Sequence, residues 1–488
     1  MALRLWARIL ATSLWLLLVP PTAVFSEDFS LQDLLAGYLA NHREIQSMMM
    51  QLEQRQLASR STEISQGVKV QLSTGTFSIG SSQVRAEPSA SIKLPQFNAT
   101  FVEAKVPLQL MNKGQEPASG SSTGAGVEGA SLSIGTEILG GSSKTAQLTL
   151  MKSQRSLLEA QRAVKSQALA VEKEFYTKIK ELYSGYASLL STRSTVYDKE
   201  LDLATLRVQG YATSSARYRT AQLEVLSAQR NAEKQQRNLQ RELELFSQKC
   251  SLTGGTLTME TLPSAVESLA ATGILEQLPL ESVERYSPME SARWSLATTQ
   301  MELEADSAIT LTAEAGYTYR NKVVSPDSQP DTVDAALSLQ ALGGKLSGGV
   351  SVPIGGEERL PTAQLSLSWS PDDMRTRSLQ RQQNQLGLEL ARLKITSVEE
   401  DYQEAAENAR LTWQDLLWSR QVALEELALY QQLAQDTTAM YQDGMTTETE
   451  FKQANTNRDR AQIQCEIADL ELIIHYIATR QLFIPEEN

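Results

Sequence analysis

Two histidines, His42 and His475, and two cysteines, Cys250 and Cys465, are the whole supply of imidazole and thiol groups in 488 residues. That supply excludes a Cys/His zinc cluster or a His-rich metal tract. Neither histidine has an evident nucleophile or acid partner nearby in sequence. No catalytic, cofactor-binding or metal-binding residue is therefore nominated, and an enzyme is not expected. The one short constellation with a defined local chemistry is Thr447-Glu448-Thr449-Glu450. It reads as a capping box, with the Thr447 hydroxyl capping a helix and the Glu450 carboxylate returning to the cap's N–H.

The elements that must position these groups follow from composition and pattern. With 45 basic and 58 acidic residues the chain carries −13, which lacks the basic balance a nucleic-acid partner requires. Hydrophobic residues make up 41%, enough for a sizeable core. The first 26 residues read as a cleaved signal peptide: Arg4 and Arg8 precede an apolar run from Ile9 to Val19, Pro20-Pro21 breaks it, and Ser26 offers the cut. After it no run reaches the 18 apolar residues of a transmembrane helix.

No proline occurs between Pro117 and Pro263, or between Pro371 and Pro485. Both tracts are rich in Ala, Leu, Gln, Glu, Arg and Lys, with apolar residues at three- and four-residue steps such as Val171, Phe175, Ile179 and Leu182. This is amphipathic helix with coiled-coil character. Between the tracts the period becomes two. Ile309, Leu311, Ala313, Ala315, Tyr317 and Tyr319 alternate with polar neighbours, as do Ala363, Leu365, Leu367 and Trp369, and, in the first half, Val102 through Leu110 and Leu132 through Ile138. Such dyads fit transmembrane barrel strands in an exported protein, and equally a soluble antiparallel sheet with one wet face.

The order repeats. Residues 27–272 predict a helix (Leu31 to about Ser65), strands at about 67–139, and a long helical hairpin at about 143–250 with its tip at Gly210. Residues 273–488 predict a helix (Met289 to about Ser307), strands at about 308–370, and a hairpin at about 373–483 with its tip at Gly444. In Val208-Gln209-Gly210-Tyr211-Ala212-Thr213 and Gln442-Asp443-Gly444-Met445-Thr446-Thr447 the glycine suits a left-handed C-cap and the threonine an N-cap. The arm from Asp373 to Tyr441 is about 100 Å long at 1.5 Å per residue. A hairpin that long needs partners to cover its apolar stripe, so oligomerisation is expected. Helices entering and leaving the sheet on one side require an even number of strands per half. The second half has room for four, or for two plus an external hairpin.

Together these features resemble the TolC-like outer-membrane factor family, over essentially the whole chain after the leader. The resemblance implies an α+β membrane protein: transmembrane β-barrel strands continuous with a long α-helical coiled-coil tunnel, two structural repeats per chain, assembled as a homotrimer whose barrel has twelve strands. It implies passive conduction from periplasm to exterior as the exit duct of a tripartite efflux pump or type I secretion system. The partners are then a periplasmic adaptor, an inner-membrane pump and outer-membrane lipid, with the helical part in the periplasm. Carried onto this chain, the adaptor docks at Gln209, Gly210 and Tyr211 and at Asp443, Gly444 and Met445. The periplasmic entrance falls at Tyr441, Glu450 and Gln453, where the second acidic position of the family is a glutamine. Thr446 and Ala216 replace the expected arginine and its acidic partner, so the inter-helix lock is only partly present. In a trimer Glu450 would also form a ring of carboxylates favouring cations. The competing reading is a periplasmic adaptor or coiled-coil scaffold that conducts nothing.

Other residues are expected to be structural. Met48, Met49 and Met50 read as helix packing. Tyr317, Tyr319 and Trp369 fit an interfacial aromatic belt or ordinary strand aromatics. Gly-Ser-Ser-Thr-Gly-Ala-Gly at 120–126 reads as a flexible loop, since it lacks the Lys of a phosphate loop. Cys250 lies 40 residues from Gly210 and Cys465 21 from Gly444. That is roughly 28 Å of height difference, against a bridging limit near 7 Å, so no intrachain disulfide is predicted.

Overall fold

The computed structural model describes residues 30–75, 77–79, 83–111, 125–127, 129–252, 257–266, 277–306, 309–320, 330–341, 344–355 and 360–485. The leader, 1–26, lies outside the described residues, as does 120–124 of the glycine-serine stretch. In chain order the elements are helices α1 (Leu31–Ala40) and α2 (Arg43–Gln66), strands β1 (Lys69–Ser73), β2 (Phe77–Ile79), β3 (Gln83–Ala86), β4 (Ser89–Leu94), β5 (Thr100–Lys105), β6 (Leu108–Met111), β7 (Ala125–Val127) and β8 (Gly129–Leu139), then α3 (Ser142–Val208) and α4 (Ala216–Lys249). A 3-10 turn, Val283–Arg285, leads to α5 (Ser287–Ala305), β9 (Ile309–Arg320), β10 (Asp331–Ala341), β11 (Gly344–Ile354), β12 (Thr362–Trp369), α6 (Pro371–Gln442) and α7 (Glu448–Arg480). The chain divides into two compact units. The helical unit takes the described parts of the chain to Asn41, Phe175–Leu275 and Ser419–Glu471; the other takes His42–Glu174, Glu276–Trp418 and the rest of the C-terminal end.

The helical unit is built around an aromatic cluster. The rings of Tyr38, Phe175 and Phe246 lie 5.5–6.2 Å apart, and Phe175, like Leu34 and Ile179, is fully buried. Buried Asp469 is held by Arg420 at 2.5 Å, the pairing that a buried charge requires. Both cysteines are free and buried in this unit. Burial pushes the Cys250 thiol up to about 12, and the Cys465 thiol donates to the Ala423 carbonyl at 3.2 Å.

The second unit carries the sheet. Eight strands pair antiparallel throughout in the order β1-β4-β5-β8-β9-β10-β11-β12. Each half of the chain thus supplies four strands to one sheet, which settles the choice left open between two and four and departs from the four strands per chain that a twelve-stranded trimer needs. A smaller sheet, β2-β3-β6-β7, belongs to the first half alone. Its strands are each next along the chain to β1, β4, β5 and β8, which pair in the same order, and among the described residues the breaks between them fall at 74–75, 87–88 and 106–107. The alternation from Val102 to Leu110, expected as one strand, is interrupted there: Pro88 and Pro107 have no N–H for a ladder bond, and the Pro88 carbonyl takes the Val106 N–H at 3.0 Å instead.

Helices of this unit have their own core. Met289 and Ala292 are fully buried with Val398, Tyr286 and Phe483. Arg155 is clamped by both carboxylate oxygens of Glu290 and by Glu159 at 2.7 Å, and lies over the Trp294 ring. These hydrogen bonds hold the Glu290 carboxyl below its usual range. His475 stacks on Trp413 and bonds the Ala409 carbonyl at 2.9 Å, a structural use of the ring. At the sheet-to-helix corner, buried Glu137 caps α3 by accepting the Ser142 N–H and hydroxyl.

Two expectations are corrected here. The helix expected from Leu31 to Ser65 is two helices, because Asn41 turns its amide onto the Gly37 carbonyl (3.0 Å) and onto Ser251, ending α1. Met49 and Met50 are exposed rather than packed within the chain.

Candidate pore wall and hairpin tips

Strand register sorts the sheet residues by face. Direct partners across the ladder share a face, and residues two apart along a strand share it as well. One row runs Val70–Ile92–Val102–Ile134–Ala315–Ala335–Val350–Ala363, and the next of the same face runs Leu72–Ala90–Ala104–Leu132–Tyr317–Val333–Val352. Lower rows add Ala313–Leu337–Gly348–Leu365 and Leu311–Leu339–Leu346–Leu367. The intervening rows are polar, for example Ser133–Gly316–Asp334–Ser351–Thr362 and Glu137–Thr312–Ser338–Ser347–Ser366. Eight strands therefore present one apolar and one polar face. The apolar face is uncovered in the single chain: Val70, Leu132, Ile134, Leu337, Val350, Leu365 and Leu367 are all exposed.

Its aromatics sit at opposite ends. Tyr317 and Tyr319 lie near the far end of β9, whereas Trp369 shares the row of Ile309, Ala341 and Gly344 at the helix end. Ten residues separate the row of Tyr319 from the row of Trp369, about 33 Å along a strand, or about 25 Å of vertical height at a 40° tilt, the height of an outer-membrane apolar band.

At the first hairpin tip α3 ends at Val208, and Gly210 adopts φ +77° with its N–H on the Arg207 carbonyl. Tyr211 returns its N–H to the Leu206 carbonyl at 3.1 Å, closing the left-handed cap. The N-cap of α4 is Ser215, whose hydroxyl accepts the Tyr218 N–H, and not Thr213. The Arg217 guanidinium lies over the Tyr211 ring and donates to its hydroxyl at 3.0 Å, and Arg207 donates to the Tyr218 hydroxyl at 3.2 Å.

The second tip repeats this backbone. Gly444 has φ +68°, and Met445 returns its N–H to the Met440 carbonyl at 2.8 Å. Around both glycines a Cβ would meet nothing, so only the positive φ favours glycine there. Thr447 is the N-cap: Glu450 N–H donates to its hydroxyl at 3.2 Å, and the Glu450 carboxylate accepts the Thr447 N–H at 2.9 Å and the Thr446 hydroxyl at 2.5 Å. Those hydrogen bonds pull the exposed Glu450 carboxyl down from 4.5 to about 2. Tyr441 stacks on Phe451 at 4.8 Å and 15°. Gln453 donates to Asp198 of α3 at 3.0 Å, joining the two hairpins.

Tyr441 and Glu450 thus both sit at the second tip, each held by a local partner, while Gln453 reaches the first hairpin. Sequence reasoning missed Arg207, Arg217 and Asp198 as tip residues. The available signal was charge: Arg207, Arg217 and Arg219 cluster at the first tip, Asp443, Glu448 and Glu450 at the second.

Residues 34–271 match the model of the TP096X N-terminal domain and residues 275–486 that of the TP096X C-terminal domain. Between them the two models take in more than nine-tenths of the chain. It belongs to the TP096X family. A protein of Treponema pallidum (strain Nichols), described as uncharacterized, is 26% identical to this TP096X chain over 250 residues. That match covers 51% of the chain and 45% of the relative's own length. Solved structures that align over most of the chain include outer membrane proteins and channels. The outer membrane protein VceC of Vibrio cholerae is 12% identical with a TM-score of 0.45, covering 92% of this chain and 95% of its own. The CmeC outer membrane channel of Campylobacter jejuni is 10% identical at 0.46, covering 94% and 87%. CusC is 13% identical at 0.44, covering 96% and 99%. Among the described residues of the TP096X chain no helix is long and apolar enough to cross a membrane.

Proposed function

We propose that this TP096X protein is a passive duct in an outer membrane, formed by three copies, through which substrates leave the periplasm. The observation that carries the reading is the sheet with one uncovered apolar face and one polar face. Water on the apolar face costs about 25 cal/mol per Å², and large exposed apolar patches mark contact with a partner or a lipid phase. Placed in hydrocarbon, that face is satisfied, and the polar face lines an aqueous bore. The two hairpins then hang into the periplasm. Gln209, Gly210 and Tyr211, with Asp443, Gly444 and Met445, are the docking points for a periplasmic adaptor of a tripartite efflux pump or type I secretion system. Tyr441, Glu450 and Gln453 border the entrance. In this reading the chain moves no bond and carries no cofactor. The pump supplies the energy.

The test is reconstitution. The purified, processed chain is expected to fractionate with outer membranes as a heat-modifiable oligomer and to produce discrete conductance steps in a planar bilayer. A chain that stays dissolved without detergent and never permeabilises vesicles refutes the duct and favours a non-conducting coiled-coil scaffold.

A further inference from the structure

The sheet ends in two edge strands, β1 and β12, whose outer edges have no strand partner among the described residues and which are exposed along their whole length. Free strand edges of this kind pair with another chain unless they are blocked. Eight antiparallel strands is an even number, so β12 runs opposite to β1, and a second copy can add its β1 to this β12 without breaking the alternation.

The stagger of the strands fits closure. Lys69, the first residue of β1, is in the row of Lys93, Phe101, Gly135 and Glu314. β9, which opens the second half in the equivalent place, begins at Ile309, five residues before Glu314. Five residues are about 17 Å along a strand, and four inter-strand steps are about 19 Å across. The helix-side rim therefore climbs at about 40°, inside the 35–45° tilt of closed barrels.

Helices attached to the same two strands carry the second observation. α2, leading into β1, partly shields Gln56, Ser59, Thr62 and Gln66 but exposes Met50 (66%), Leu57 (60%) and Ile64 (75%) at heptad spacing. α6, leaving β12, exposes Leu379, Leu386 and Leu393, also at heptad spacing. Counted from Lys69, Leu57 and Met50 lie 12 and 19 residues away; counted from Trp369, Leu379 and Leu386 lie 10 and 17. At 1.5 Å per residue those depths are about 18 and 28 Å against 15 and 26 Å. Two apolar stripes at matching depths, on helices of opposite direction, are the two sides of an antiparallel helix seam.

We infer that the occupant of each edge is a second copy of this chain, with β12 and α6 of one copy zipped to β1 and α2 of the next. Every copy then contributes all eight strands to the wall. On the three-copy duct reading above, on which this inference rests, the barrel has twenty-four strands, twice the number expected from the resemblance, and a lumen wider than the aqueous bores of 16- to 18-stranded porins.

The test uses full-length chains in detergent or lipid, with single cysteines at Leu72 in one tagged population and at Leu365, Leu367 or Trp369 in a second. A matching pair, Leu57→Cys and Leu379→Cys, probes the helix seam. Co-expressed and oxidised, the two populations are expected to give heterotypic cross-linked dimers, and a chain carrying both members of a pair is expected to give covalent ladders up to the ring size. Electron-microscopic averages are expected to resolve three-fold symmetry and twenty-four staves. Intrachain cross-links alone, or a closed eight-stranded monomer, overturn the inference even if the protein conducts. A ring whose wall has twelve strands overturns it as well. Failure of conductance with the cross-links intact refutes the duct while leaving the seam standing.

Discussion

The helical unit and the sheet handle their apolar residues in opposite ways. Around Phe175, Tyr38 and Phe246 the helices hide aromatic area inside the single chain. The sheet lines up Leu132, Ile134, Leu337, Val350 and Leu365 on one face and leaves all of them uncovered. The same chain therefore has a core that water has left and a face prepared for some medium other than water. The polar rows of the sheet make the point sharper, because they place Ser, Thr, Asp and Glu where a two-layer soluble fold would need a wet surface. On the proposed reading, an amphipathic sheet with no covering layer among the described residues is a wall between two solvents.

The largest expected effect tests the closed side of the comparison. Phe175→Ala removes a fully buried ring packed against three others, and about 3–5 kcal/mol of stability should go with it. Denaturant unfolding followed by far-UV circular dichroism measures this loss, and the conductance of the molecules that remain folded should not change. Next comes the open side. Leu337→Arg puts a charge on the apolar face, costing about 2–4 kcal/mol near a bilayer midplane. Ser338→Arg, one residue along and on the polar face, should insert almost normally. Assembly into vesicles, scored by protease protection, should separate the pair, and equal behaviour of the two would break the comparison.

Smaller effects fall at the tips. Gly210→Ala and Gly444→Ala each force a side chain into positive φ with no steric clash, so about 1 kcal/mol per site is expected, read as a modest shift in thermal midpoint. The least is the pH response of the Glu450 cap. Its carboxyl is held at about 2 in the folded chain against 4.5 ordinarily. Its contribution is therefore present above about pH 4.5 and is lost as pH falls from there through 2. Glu450→Gln should flatten the fall in helical stability over that window, and its effect on single-channel cation preference tells a ring carboxylate from a cap alone.

Much of this architecture was legible in residue spacing. The dyads of Ile309–Tyr319 and Ala363–Trp369 are strands of the sheet, and the proline-free tracts are helices of 67, 34, 72 and 33 residues. Both tip glycines sit in the left-handed region as their neighbours implied. What could not be read depends on distant partners. Asn41 ends α1 through a bond to Ser251, 210 residues away. Ser215 rather than Thr213 caps α4 because the turn after Gly210 runs on through Ala212, whose carbonyl takes the Ser215 N–H. Pro88 and Pro107 could have marked the break in the first-half strands, yet only the ladder shows that both fall on one line across the sheet. The exposure of Met49 and Met50 is not written in helical periodicity, which does not say which face of α2 meets the rest of the chain.

Site-directed spin labelling along β10 tests the central claim most directly. The native thiols are buried, and that of Cys250 is held at about 12, so labels will go to cysteines introduced singly from Val333 to Gln340. In reconstituted vesicles, labels at 333, 335, 337 and 339 should collide with dissolved oxygen, and labels at 334, 336, 338 and 340 with a water-soluble nickel chelate, in strict alternation. Nickel access at every position, or at none, contradicts a sheet with hydrocarbon on one face and water on the other.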